Sequence, residues 1–284
     1  MTFDPQILLG GLFLGSLYGT AALGFQLLLG AAGRVHLAYG HLWVAGALGL
    51  STLMARCDLP LSASFAVLVA AGGLAGWLFH PGVLFRGALT EERARSFFLV
   101  TLGAALMLEE AGARLWPLPG SALVWAPPPL VVAGVALPPA KLALVGTGIC
   151  VAAGFHIYLR RNRWGRALVA WNRGAAPVWF VGVDTGLLGR RAAALGLSVC
   201  ALSSAFLALS YTVSVREGMA MTVRCLVLAV LGGTLSPLGV LGAGVGLGIG
   251  ESLVGHVLGL RWGPALGYVG LLGILPVLAR RSGR

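Results

Sequence analysis

Residues 224–256 read RCLVLAVLGGTLSPLGVLGAGVGLGIGESLVGH. A helix needs about 20 apolar residues to cross a hydrocarbon core roughly 30 Å thick. This stretch is half as long again, so it exceeds one ordinary span. It is also interrupted, at Gly232-Gly233 and again at Ser236-Pro237. Glycine weakens a helix interior, and proline lacks the N–H that a helix interior uses. The segment therefore reads as a discontinuous or re-entrant pair of helices. Such backbone is tolerated at membrane depth only where it is buried in protein or lines a cavity.

Two further features mark its second half. Gly242, Gly246 and Gly250 repeat at i, i+4, and so do Gly244 and Gly248. Small residues at that spacing let helix backbones approach closely in lipid. The run GAGVGLGIG superficially suggests a phosphate-cradling loop. It lacks the preceding soluble strand and the acidic residue about 20 positions on, so close packing is the better account. Arg224 opens the segment and Glu251 lies inside its second half. Ionisable groups in apolar spans are costly and mark functional positions. Glu251 is expected to face the bundle interior.

The rest of the chain agrees with a lipid solvent. Of 284 residues, 58% are hydrophobic and 10% charged, with a mean hydropathy of +0.90. A soluble domain carries about 25% charged residues. Further apolar segments lie near 6–30, 37–55, 61–80, 97–116, 139–159, 190–213 and 264–279. The expectation is one all-α polytopic membrane domain over 1–284, with about seven to nine transmembrane helices including the broken pair. Ile7 to Leu29 reads as a retained span, because no basic n-region or clear cleavage site accompanies it.

There are 20 Lys+Arg against 9 Asp+Glu. The arginines sit between apolar runs, which suits the positive-inside rule and not a nucleic-acid surface. Arg86, Arg93 and Arg95, the 160–191 loop, and the tail with Arg280, Arg281 and Arg284 are expected in the cytoplasm. The proline-rich, uncharged 117–139 is expected outside. Counting spans then puts the N-terminus outside and the C-terminus inside.

No catalytic constellation and no G-x-x-x-x-G-K-[ST] occurs, so the chain reads as no enzyme, with no cofactor and no P-loop of its own. Cys57, Cys150, Cys200 and Cys225 lack metal-ligand spacing and read as apolar filler. His36 and His41 do not share a helix face well, which favours interfacial or pore-lining roles over a metal site. Glu109 and Glu110 fall late in a span, where a headgroup-level position and a functional one are equally open.

A set of motifs in order then resembles a known family. GLFLGSLYGTAALGFQLLLGAAGRVHLAYGHLWVAGA, 11–47, is similar to that family's first span and its N-[FL]-A-[HQ]-G segment. Ala38 and Gly40 match; His36 replaces Asn and Tyr39 replaces His or Gln. TLG, 101–103, is similar to T-I-G, and RRNRWGRALVA, 160–170, to the basic R-x-x-R-x-G-R-A-x-x-A run. GVD, 182–184, resembles G-I-[DN]. LGG, 231–233, and the glycines to Glu251 follow L-G-G-x-G-S-x-x-G…G-x-x-E, with Arg224 where Lys is usual. The family is the LivH/LivM-type permease subunits of bacterial branched-chain amino acid ABC transporters.

The resemblance implies an importer in the bacterial inner membrane. One membrane subunit would pair with a second permease subunit, two cytoplasmic ABC ATPases and a periplasmic substrate-binding protein. Branched-chain amino acids lead as cargo; urea or short amides are the alternative. An ATP-independent transporter or channel, and a subunit that has lost transport, are the competing classes. In this frame Arg166–Arg173 would form two helical turns ended by Gly174. Pro177 would begin a second turn carrying Trp179 and Phe180, stopped by Gly182. Arg163, Gly165, Arg166, Ala167, Trp171 and Gly182 are the candidate ATPase-coupling residues, against a plain topology anchor for Arg160–Arg163. His36, Ala38, Gly40, Arg224, Gly232, Gly233 and Glu251 are the candidates for the translocation path or its gate.

Overall fold

The computed structural model describes residues 5–79, 91–116, 128–132, 135–172 and 182–259, with residues 262, 263, 265 and 269 beyond them. Among these, the helices are α1 (Pro5–Ala32), α2 (Tyr39–Arg56), α3 (Leu61–Phe79), α4 (Glu91–Leu115), α5 (Pro139–Arg161), α6 (Arg163–Asn172), α7 (Thr185–Ser210), α8 (Gly218–Leu231) and α9 (Pro237–Leu258). The tail, the segment 264–279 apart from residues 265 and 269, Arg86, and Arg173 through Val181 lie outside the described residues.

Six of these helices are long and apolar enough to cross a membrane: α1, α3, α4, α5, α7 and α9. Their outer faces carry Leu74, Leu99, Met107, Ile149 and Val257, all more than half exposed, as lipid-facing side chains should be. The helix α1 stands at the centre. From Gly15 to Leu28 every residue is buried, so no polar stripe is needed on any side. It packs most extensively on α9, then on α7, α8 and α5.

Glycine makes the α1–α9 contact possible. A Cβ on Gly15 would sit 2.5 Å from the Gly244 carbonyl oxygen and 2.6 Å from Val245 Cα. A Cβ on Gly11 would sit 2.6 Å from Ile249 Cα. The order of partners shows that the helices run antiparallel. Of the two glycine ladders, Gly244 and Gly248 meet α1, whereas Gly242 and Gly246 face open space.

The broken pair is present, but it begins earlier than expected. A 3₁₀ turn at Val215–Glu217 leads into α8 at Gly218, which leaves Arg224 inside α8 and not at its start. The break, 232–236, is a compact turn. Gly232 N–H donates to the Leu228 carbonyl at 2.8 Å and Ser236 N–H to the Gly233 carbonyl at 3.0 Å. Gly233 has φ +89° and Leu235 φ +61°. A left-handed leucine is costly, by about 1–3 kcal/mol, and persists only where the surroundings enforce it.

One element departs from the all-α expectation. Leu130–Val132 pairs antiparallel with Val135–Leu137, Leu130 opposite Leu137. The valines suit a pleated surface, and prolines on either side hid this hairpin from a reading of helical spans.

Candidate functional site

The chain after α1 turns back along it. Gly33, at φ +64°, closes the helix with its N–H on the Leu29 carbonyl. The start of α2 then lies beside the middle of α1. The Tyr39 hydroxyl donates to the Ala21 carbonyl at 2.6 Å, and its ring packs edge-on to Phe25 at 5.2 Å. Gly40 N–H donates to Thr222 Oγ1 at 2.9 Å, and that hydroxyl reaches the Leu37 carbonyl at 3.0 Å. Gly40 itself has no room for a Cβ against the Gly218 carbonyl. The two regions singled out in the sequence, 36–41 and the broken pair, are therefore joined directly through α8.

A second polar cluster ties α1, α8 and α9 together. The Tyr18 hydroxyl donates to Glu251 Oε2 at 3.2 Å, and Arg224 Nε donates to Oε1 at 3.3 Å. The guanidinium lies 5.1 Å from the Tyr18 ring centre, within range of a cation–π contact. Glu251 is 5% exposed, so it faces the interior as expected. Pairing and hydrogen bonding are what allow such a charge to remain in an apolar setting. A cavity of about 560 Å³ opens beside the cluster, lined by Ile7, Leu14, Tyr18, Glu251, Ser252 and His256 among others.

The remaining path candidates divide. Ala38 is buried at the foot of α2. His36 packs its ring against Phe97 at 6.0 Å, while His41 Nε2 meets Glu109 Oε2 at 3.3 Å. The two histidines thus have different partners and do not converge. Glu109 is a cross-helix partner and Glu110 an exposed one, pairing with Arg114 at 2.9 Å. Gly232 packs its backbone on Gly239 and Val240, and Gly233 makes the left-handed turn. Glu251 lies about 21 Å along α9 from Pro237, at 1.5 Å per residue. The break and the ion pair are therefore separate places.

The coupling candidates lie on α6 and at the foot of α7. At Asn162 the chain leaves α5, with its N–H on the Tyr158 carbonyl, and its side chain accepts from Trp164 N–H at 2.9 Å. That cap starts α6 at Arg163, three residues before the expected start. Gly165, Ala167 and Leu168 are buried, and Trp171 is half-buried against the core. Arg163 and Arg166 are exposed. Gly165 presses on the Tyr158 carbonyl with no space for a side chain. The Trp164 ring stacks under Arg191 of α7 at 4.0 Å. Gly182, exposed with φ +76°, turns the chain toward Asp184, whose carboxylate accepts from Gly186 and Leu187 N–H and so caps α7. The helix is bolted to α5 and α7 by its apolar face, and its outward face is basic.

The sequence assigned no site role to Tyr18, Thr222, Trp164, Arg191 or Asp184. Asp184 before Thr185 and Gly186 was a legible N-cap signal; the others carry no local signature.

Known proteins resemble this chain over nearly all of its length. Residues 7–278 match the family described as the branched-chain amino acid transport system permease component. The high-affinity branched-chain amino acid transport system permease protein BraD of Pseudomonas aeruginosa is 24% identical over 299 aligned residues, covering 98% of this chain and 94% of that protein. The solved structure of PsaBC from Streptococcus pneumoniae in complex with Fab aligns with 95% of this chain and 91% of its own, at 13% identity and a TM-score of 0.44. The match over nearly the whole chain settles the family: this protein belongs to the permease components of branched-chain amino acid transport systems, as a multi-pass inner-membrane subunit of an ABC transporter.

Proposed function

We propose that this chain carries branched-chain amino acids inward across the inner membrane, driven by two separate ATPase subunits. It pairs with a second permease subunit and receives cargo from a periplasmic binding protein. Its N-terminus lies outside and its C-terminus in the cytoplasm, which places α6 at the cytoplasmic end of α5 and α7.

The observation that carries this reading is the construction of α6. A bare topology anchor needs only positive charge. This helix is in addition capped by Asn162, seated through Gly165 and Leu168, and stacked through Trp164 on Arg191. Such a seat makes it a rigid handle. Arg163 and Arg166 on its free face suit an acidic partner surface, where arginine forms paired hydrogen bonds to carboxylates. Gly165, Ala167 and Trp171 hold the handle from behind.

The test is co-purification of the ATPases with Arg163→Glu/Arg166→Glu. Loss of the ATPases with normal membrane insertion is expected. Retained ATPases and wild-type ATP-driven uptake would refute the role of this face. Cargo is tested by uptake of labelled leucine, isoleucine and valine into proteoliposomes holding the complete transporter and its binding protein. Uptake of urea or short amides in their place would refute the choice of cargo.

A further inference from the structure

Gln26 lies deep in α1, 0% exposed, and neither its Nε2 nor its Oε1 has a hydrogen-bond partner among the described residues. An unpaired primary amide in an apolar interior is expensive, and such a group calls for an explanation. Its place on the helix supplies one. Gln26 is seven residues beyond Gly19 and four before Gly30, so all three share a face of α1. Gly19 packs on Leu241, and Gly30 packs on Leu235. Gln26 between them is directed at the stretch where the chain leaves the break and begins α9.

That stretch is itself short of partners. The helix α9 starts at Pro237, and Ser236 at its N-cap makes no side-chain bond to it. The first-turn N–H groups of a helix have no intrahelical acceptor and form its positive end. A helix end held away from bulk water leaves them unsatisfied. Two left-handed residues, Gly233 and Leu235, hold the turn that presents this end. In transporters, half-helix N-termini of this kind meet anionic substrate groups.

We propose that Gln26 and the N-terminus of α9 together form a binding station for the α-amino-carboxylate group of the substrate. This rests on the reading of the chain as an amino acid permease and locates one of its substrate contacts. Gln26 Nε2 and the first-turn N–H groups of α9 donate to the carboxylate. Gln26 Oε1 accepts from the ammonium group of the same zwitterion. Leu235 and Leu241 flank the station and offer apolar surface to a branched side chain. No full charge is used, so the cargo is held without an ion pair that would impede its release. Gln26 is enclosed in this structure, so the station is reached when α1 and the α8–α9 break move apart during the transport cycle.

The experiment uses the complete transporter in proteoliposomes, with Gln26→Met as the near-isosteric variant and Gln26→Glu as a second. Leucine uptake should fall at least about ten-fold in kcat/KM for Gln26→Met, because the site loses the amide donor to the carboxylate and the acceptor of the ammonium group. Gln26→Glu should abolish uptake by repelling the carboxylate. Thermal stability of Gln26→Met in detergent should equal or exceed wild type, since an unpaired buried amide has been removed. Wild-type leucine uptake with unchanged uptake by Gln26→Met would overturn the station and leave the permease reading intact. A fall in Tm that tracks the loss of uptake would also overturn it, by showing a structural role. Absence of leucine uptake by the wild type would reject the cargo reading and the station with it.

Discussion

The two ends of α9 are built on opposite terms. Near its C-terminal end, Glu251 accepts from both Tyr18 and Arg224, and the charge is matched on the spot. At its N-terminal end, Ser236 provides no cap, Leu235 is held left-handed, and Gln26 opposite has an unpaired amide. Between them, Gly244 and Gly248 lie flat against α1 and seal the interface. A satisfied polar group in an apolar medium is fixed, because any movement exposes a charge. An unsatisfied one gains by meeting something that arrives. The helix is clamped at one end and chemically open at the other.

The largest effect should come from breaking the clamp. Glu251→Leu takes away the carboxylate that the part-buried Arg224 meets and should cost about 3 kcal/mol of stability. The measurement is thermal unfolding of the purified subunit, and an unchanged Tm would show that the pair is not a clamp. Replacing both partners, Arg224→Met with Glu251→Leu, should restore most of that loss, because the pair is exchanged for apolar side chains. Failure of the double variant to recover would mean that the charges serve more than each other. Next in size is Thr222→Val, which removes the acceptor of Gly40 N–H and the donor to the Leu37 carbonyl. A loss of about 1–3 kcal/mol is expected, read as a lower Tm. The smallest effect belongs to the open end. Capping serines ordinarily contribute about 0.5–2 kcal/mol. Ser236→Ala should change stability by less than about 0.5 kcal/mol, and a larger loss would show that this end is capped after all.

Much of this contrast was legible in the sequence at the level of the backbone. Gly232-Gly233 and Ser236-Pro237 placed the break, because their effect on a helix is local. The lone Glu251 among glycines pointed inward, because a carboxylate in lipid has few other options. The partners were not legible. Tyr18 is 233 residues from Glu251 and Gly40 is 182 from Thr222, and an isolated Tyr or Thr in an apolar run carries no address. The two glycine ladders on α9 look alike in the sequence; only the position of α1 selects Gly244 and Gly248. Leu168 and Trp171, three residues apart, share one side of α6. Which side faced the bundle depended on the Asn162 elbow, and Trp171 turned out to support α6 from within.

The stack of Trp164 on Arg191 has a mechanical consequence. It fastens α6 to α7, and α7 lies along α1 where Gly196 and Cys200 touch Gly24. Gly24 is two residues from Gln26, on the opposite side of the same helix. A displacement of α6 would thus be delivered as a sideways load on α1 at the level of the unpaired Gln26 amide. With the coupling role proposed above, α6 would work as a short crank and α1 as the shaft it loads.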